Sequence, residues 1–417
     1  MNKKYWLFLD SHTHCFVKNH EALFYNTLNG KILRNTHADI IELSKNLTSK
    51  KNLNVIELDS VSIENTETSK FIKDLRKAFM GDIIDTSLST EKPVQMMPLV
   101  KINRDIKYLK EHPMRSVGDF LMDYLSELNL FLNGDCTQNC TFCSYAYKQS
   151  NCCTKNEGTE ISITDIKALV KQVESCTLLN FNIFGGNILN YSHLRELTEV
   201  LDEFTATKKI HIHYQDFINA RNLNLFQKPA YEIKLIVPPE NNSEAIALAL
   251  EIGKKHNLNL SLIFPIESEE DYYITEQKIK CLELDKYLIS PLYNGENTSF
   301  FEKNIFLEEQ DICSYKPSSK EIYAREKINT NFFGKLTILS DGRIFANVNH
   351  KELGVLGQNT IYDVLFKEMN EGESWLKVRN DAKPCCDCTF EKLCPPISSY
   401  EYLMERNNLC HINDSKV

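Results

Sequence analysis

Two periods of apolar placement govern this chain. Between residues 116 and 304, runs at Leu128–Leu132, Leu179–Phe184, Ile210–Tyr214, Glu232–Val237, Leu258–Phe264 and Tyr287–Ser290 have the length and composition of strands. Between them the spacing changes. Ile166, Leu169, Val170 and Val173 fall on one helical face, as do Leu194, Leu197, Leu201 and Phe204. Alternating strands and helices predict an α/β fold with a parallel sheet and right-handed crossovers. Six such units suggest an open, partial (βα)6 barrel. Sheets of this kind bind ligands at the C-terminal ends of their strands.

Two smaller zones flank this series. Residues 1–115 open with extended runs at Trp6–Phe16 and Ala22–Tyr25 and a turn at Asn29-Gly30. Helices are predicted at His37–Leu47 and Lys70–Phe79, around a strand at Asn54–Leu58. The stretch Ser87–Pro113 carries Pro93, Pro98 and Pro113 and reads as a connector. Residues 305–417 hold a hairpin, Lys335–Leu339 and Arg343–Val348, turning at Ser340-Asp341-Gly342. A helix at Ile361–Asn370 and a cysteine-rich tail follow.

At 417 residues the chain is too long for one ordinary core, so two or three domains are expected. A net charge of −9 argues against a nucleic-acid binder held by the phosphate backbone. The apolar run near the start covers only Tyr5–Leu9, too short for a signal peptide, and nothing approaches a membrane span. A cytoplasmic location is therefore expected. In a reducing compartment the 14 cysteines are better read as metal ligands than as disulfides.

Their placement is uneven. Cys136, Cys140 and Cys143 follow the first strand of the βα series, in the segment LNLFLNGDCTQNCTFC. Three thiolates then stand at the mouth of the sheet, and thiolates are the usual ligands of iron–sulfur clusters. Three ligands to a four-iron cluster leave one iron open to a small molecule. A structural zinc site requires four ligands, and Cys152 or Cys153 could supply the fourth. The spacing of three then two residues resembles the radical-SAM motif. That resemblance implies a [4Fe-4S] cluster whose open iron chelates S-adenosylmethionine, with Phe142 beside the bound nucleoside. The second strand ends in Gly185-Gly186-Asn187-Ile188, where the family carries a Gly-Gly-Glu-Pro element. Gly185 and Gly186 match. Asn187 can accept a hydrogen bond but lacks the carboxylate that pairs with an ammonium group.

In the tail, Cys385, Cys388 and Cys394 are separated by two and five residues, and Cys410 lies further on. This resembles the SPASM domain, in which these four positions hold an auxiliary [4Fe-4S] cluster. A zinc knuckle could use the same four thiolates. Cys386 reads as a bystander. The family's other auxiliary cluster looks lost, because Asn347 and Ser398 stand where its cysteines are expected. Cys313 alone remains upstream.

Asp10-Ser11-His12-Thr13-His14 imitates the metal-binding opening of amidohydrolases, and His211 and His213 could seem to add ligands. The next run is extended, however, so solvated or core histidines are the expected account. The N-terminal zone resembles the small winged-helix-like α+β recognition domain related to the PqqD chaperone, where a leader peptide adds a strand. Together these features resemble the radical-SAM/SPASM maturases of ribosomally made peptides, nearest to the pseudo-radical-SAM proteins of GG-leader systems. The resemblance implies a precursor peptide with a leader and an electron donor as partners, with peptide modification through SAM cleavage and hydrogen abstraction. The alternative is a non-catalytic partner subunit for a second maturase. Asp216, Glu267 and Tyr293 lie near strand ends, where polar residues are routine, and no acid/base residue is nominated.

Overall fold

A computed structural model of the chain describes residues 3–412 except 19, 90, 94–120, 157 and 241. Most of the connector expected at Ser87–Pro113 lies outside the described residues. Among those described, the largest sheet has nine strands in the order β12-β11-β10-β9-β8-β7-β13-β14-β15. Strands β7 (Glu127–Phe131), β8 (Asn180–Phe184), β9 (Thr207–His213), β10 (Tyr231–Ile236), β11 (Leu260–Ile266) and β12 (Tyr287–Pro291) lie side by side in chain order. All of these pairings are parallel. The six predicted strands are present and form one βα series. Consecutive order with right-handed crossovers puts the connecting helices on one face of the sheet.

Alternation along each strand explains which face that is. Leu128, Leu130, Phe181, Ile183, Ile210 and Ile212 pack with the helical residues Ile166, Leu169, Leu194 and Leu197 in one core. The other face is polar along the N-terminal part of β7 and β8 and turns aromatic at Phe131 and Phe184. Glu127 and Asn129 on β7 stand level with Asn180 and Asn182 on β8. Asn182 Nδ2 donates to Glu127 (3.1 Å) and to Asn129 Oδ1 (2.7 Å), and Asn129 Nδ2 donates to Thr337 Oγ1 (3.1 Å). A parallel sheet covered by helices on both faces would be apolar on both. This one presents a hydrogen-bonded ladder of carboxamides on the face away from its helices.

The hairpin of the third zone is not a separate unit. Its first strand, β13 (Lys335–Ile338), pairs in parallel with β7, and β14 (Arg343–Phe345) and β15 (Gly354–Val355) continue the sheet antiparallel. Gly334, at φ +78°, makes the approach possible: a Cβ there would lie 2.5 Å from the Tyr124 carbonyl oxygen.

The N-terminal zone forms two three-stranded antiparallel sheets. One has the order β5-β1-β6, from Val55–Asp59, Lys4–Leu9 and Gly81–Asp85. The other is β2-β3-β4, from Thr13–Lys18, Glu21–Asn26 and Ile32–Asn35. Helices Ala38–Thr48 and Thr66–Ala78 pack with the strands through Ile40, Phe71 and Leu75. Sheet β2-β3-β4 docks against the cysteine tail. Phe16, Leu23 and Tyr25 share an apolar cluster with Ile312, Ile322, Phe390 and Leu393. Glu21 accepts from Thr389 Oγ1 (2.6 Å) and Arg34 Nε (2.5 Å), while Lys18 pairs with Glu391 at 3.0 Å. No helix among the described residues is long and apolar enough to cross a membrane.

Candidate functional site

Beyond β7 the chain enters a long loop anchored at its two ends. Ile161 N–H donates to the Leu132 carbonyl (2.8 Å), Gly134 N–H to Thr159 (3.0 Å) and Asn156 N–H to Gly134 (3.1 Å). Cys136, Cys140 and Cys143 lie in this loop, at the C-terminal end of the first parallel strand, and all three are half-buried.

The glycine pair braces the loop. Gly186 N–H donates to the Asn133 carbonyl (2.9 Å) and Asn187 N–H to that of Asp135 (2.6 Å), while Asn133 Nδ2 donates to the Asn187 carbonyl (2.9 Å). A Cβ on Gly186 would sit 2.2 Å from the Asp135 carbonyl oxygen, and one on Gly134 only 1.7 Å from that of Asn156. The space above Gly186 is therefore filled by the cysteine loop itself. Asn187 is also committed: its Oδ1 accepts from Leu189 N–H at 3.0 Å.

The thiols act on one another. Cys140 and Cys153 hydrogen-bond to Cys143 and draw its pKa well down, whereas Cys140 is pushed up by the same contact and by burial. Cys136 lies within electrostatic reach of Cys143. Cys152 and Cys153 are sealed behind the loop with Phe142, Ala146, Ile236 and Leu292. A fourth thiol, Cys153, thus stands beside the set.

A cavity of about 230 Å³ opens next to Cys140 and Phe142. His213, Pro238 and Glu267 line it, and each stands at or just past the C-terminal end of β9, β10 or β11. Phe142 is only 4% exposed and forms part of the wall. Tyr145 donates to Glu267 through a short hydrogen bond that, after burial, raises the phenol's pKa. Burial pulls His213 down to about 4, so the ring is neutral at pH 7. Asp216 accepts from Gln138 Nε2 (3.0 Å), and its other oxygen is buried with no partner. Of these, Tyr145 carries no sequence signal for the site and His213 reads in the sequence only as a ligand of the amidohydrolase-like opening; only the fold brings them beside the cysteine loop.

The four tail cysteines form a second set. Cys385, Cys394 and Cys410 are buried and Cys388 is half-buried. Each of Cys385, Cys388 and Cys394 feels the charge of Cys410. Burial raises all three, Cys388 to about 11, which favours the protonated thiol at each. Arg379 counters this: its Nη1 lies 3.6 Å from Cys385 Sγ and its Nη2 pairs with Glu401 at 2.8 Å. Burial disfavours its charge, yet Glu401 and the thiols more than offset that and hold it cationic. Asn408 Nδ2 adds a contact to Cys410 Sγ at 3.6 Å. A buried cation and amide donors around four thiols suit an anionic, thiolate-ligated group. Cys386 contributes its carbonyl to Lys18 (2.7 Å), and Cys313 packs against the apolar cluster that includes Cys388 and Cys394. Among the described residues no three His, Cys, Asp or Glu side chains surround a point that one metal ion could fill.

The histidines near the start do not assemble into a site. His12 contacts the Phe79 carbonyl (2.7 Å), His14 contacts Ser319 (3.0 Å), and His211 is buried against Phe184 in the other sheet. Asn347 and Ser398, the two positions lacking an expected cysteine, line one cavity of about 310 Å³ on the polar face of the large sheet.

No protein-family model and no curated protein matches the chain. Among solved structures it is similar to Streptococcus suis SuiB bound to precursor peptide SuiA, at 11% identity over 99% of this chain and 100% of that one, with a TM-score of 0.42. SuiB bound to S-adenosylmethionine gives 12% identity over the same shares and the same score. A further SuiB structure gives 12% over 96% of this chain and 97% of that one, with a TM-score of 0.39. Values this low leave the fold and the chemistry to be read from the chain's own residues.

Proposed function

We propose that the chain is an iron–sulfur protein of the radical-SAM/SPASM type that modifies a ribosomally made precursor peptide. The observation that supports this best is the first cysteine set: three half-buried thiols at the end of the first of six parallel strands, beside a cavity at the strand ends. In this reading Cys136, Cys140 and Cys143 hold a [4Fe-4S] cluster, and S-adenosylmethionine occupies the cavity walled by Phe142. Cys385, Cys388, Cys394 and Cys410 hold one auxiliary [4Fe-4S] cluster. A cluster held by Cys136, Cys140 and Cys143 would supply the one-electron chemistry for reductive SAM cleavage and hydrogen abstraction from the peptide. The protein's own part is positional. Gly185, Gly186 and Asn187 fix the cysteine loop through backbone contacts, the sealed cluster around Phe142 excludes water, and neutral His213 adds no charge beside the thiols.

The domain reading goes with this proposal: a peptide-recognition unit over 1–115, the partial barrel over 116–304 and a SPASM-like unit over 305–417. The first would take the leader peptide, and an external donor would supply electrons. One observation favours a second reading. Asn187 stands where the family has a carboxylate, and its side-chain oxygen is already used by Leu189 N–H. A chain that does not bind SAM would serve as a non-catalytic partner for another maturase. Deoxyadenosine release from SAM by the reduced, reconstituted protein separates the two. Formation that disappears in Cys140→Ala supports the enzyme; none in the iron-loaded wild type supports the partner.

A further inference from the structure

The six parallel strands do not close on themselves among the described residues. Strand β12 stands at one edge of the sheet, and β7, the first of the series, pairs on its far side with β13. The second half of the cysteine loop reaches across this open side through one carboxamide. Gln149 Nε2 donates to the Tyr293 carbonyl at 2.8 Å, and Gln149 Oε1 accepts from the Tyr293 N–H at 2.8 Å. Tyr293 lies just past the end of β12. A side chain from the loop after the first strand thus makes, at the end of the last, the paired bonds that a neighbouring strand would make.

Both sides of this clasp are stiff. On the receiving side Asn297 Nδ2 donates to the Glu267 and Leu292 carbonyls (2.8 and 2.9 Å), and the Tyr400 hydroxyl donates to Pro291 (2.7 Å). On the loop side turn bonds run from the cysteines to the clasp. Cys143 N–H donates to the Cys140 carbonyl (3.5 Å), Ala146 N–H to that of Phe142 (2.9 Å) and Gln149 N–H to that of Ala146 (3.1 Å). A shift at Gln149 is therefore passed to the turn that carries Cys140 and Cys143. Apolar packing supports the segment, since Phe142, Ala146, Cys152 and Cys153 share a cluster with Ile236 and Leu292. Such contacts are non-directional; the two bonds of Gln149 fix the register. The segment also serves both cavities. Tyr145 bonds Glu267 on the wall beside Cys140, and residues 147–151 wall the cavity of about 310 Å³.

We infer that Gln149 is a positioning residue, the clasp of a lid formed by residues 145–151 that closes the open side of the strand series over the cysteine set. The clasp needs neither iron nor SAM, and only the lid's service to a reaction rests on the proposed function. Tested without iron, the two stand or fall separately.

The test uses the reduced, iron-free full chain and iodoacetamide, with alkylation of each cysteine read by mass spectrometry. Cys152 and Cys153, only 3% and 4% exposed behind the segment, report its opening. Gln149→Met keeps the length and bulk of the side chain and removes both bonds. Cys152 and Cys153 are expected to react about tenfold or more faster in the variant, while the buried tail thiols Cys394 and Cys410 stay within about twofold of wild type. A smaller rise at Cys152 and Cys153, or an equal rise at Cys394 and Cys410, overturns the inference. Should the variant not fold, hydrogen exchange of the wild type decides. Protection of the Tyr293 amide by about tenfold or more supports the clasp, and weaker protection refutes it.

Discussion

Gly186→Ala is the sharpest perturbation the cysteine loop offers. A Cβ at that position meets the Asp135 carbonyl oxygen at 2.2 Å, its carbon at 2.5 Å and the Gly134 carbon at 2.8 Å. All three are backbone atoms, so neither side can yield by turning a rotamer. The strand end and the loop must part by roughly 1 Å to restore ordinary contact. Overpacking of this kind costs about 1–3 kcal/mol. Separation also strains the Gly186 N–H to Asn133 and Asn187 N–H to Asp135 bonds, each worth about 1 kcal/mol. A local loss of about 3–5 kcal/mol follows. Gly185→Ala is milder, because its Cβ meets two side-chain atoms first, Asn133 Oδ1 at 2.4 Å and Ile188 Cγ2 at 2.8 Å; about 1–2 kcal/mol is expected. Native-state hydrogen exchange reads this locally, since each 1.4 kcal/mol is about a factor of ten in opening. The Gly186 and Asn187 amides should exchange roughly a hundredfold to several thousandfold faster in iron-free Gly186→Ala. Exchange within about threefold of wild type, or a larger effect from Gly185→Ala, would refute a packing role for the pair.

Three further outcomes are expected. Glu368 is buried while accepting from Ser374 and Trp375 N–H, and burial raises its pKa from 4.5 to about 7. Its folded form binds the proton more tightly than its unfolded form, so its contribution is full below about pH 4.5 and is lost as pH rises through 7. Glu368→Gln should therefore gain about 3 kcal/mol on wild type between pH 4.5 and 8 in denaturant titrations, and parallel pH profiles would count against this. Glu21→Ala removes the acceptor shared by Arg34 and Thr389. With Arg34 partly exposed, about 1–2 kcal/mol of docking is expected to go, seen as faster proteolysis within the cysteine tail; an unchanged digestion pattern would contradict the docking role. Cys394→Ala, on the two-cluster reading, should lower iron from roughly eight to roughly four per chain, leaving any SAM-responsive signal in place.

The parallel series was legible because strand and helix periods alternate cleanly there. Leu128–Leu132 and Glu232–Val237 each fall within a residue of the observed strands. Local pattern could not show that Lys335–Ile338 joins β7 across the sheet, since parallel pairing between distant segments leaves no mark in either one. Nor could it show the carboxamide ladder, because Asn129 and Asn182 read separately as polar strand positions and gain meaning only in register. Strand β6 went unread: Gly81–Asp85 is short, with acidic residues near both ends. The cysteines were legible by spacing, whereas Arg379 entered the second nest only through tertiary packing.

The most direct test of the proposed function is an iron count with EPR on anaerobically reconstituted protein, before and after adding SAM. The proposal predicts roughly eight irons and a reduced-cluster signal that SAM perturbs, as one open iron requires. No iron, with about one zinc bound instead, would contradict it.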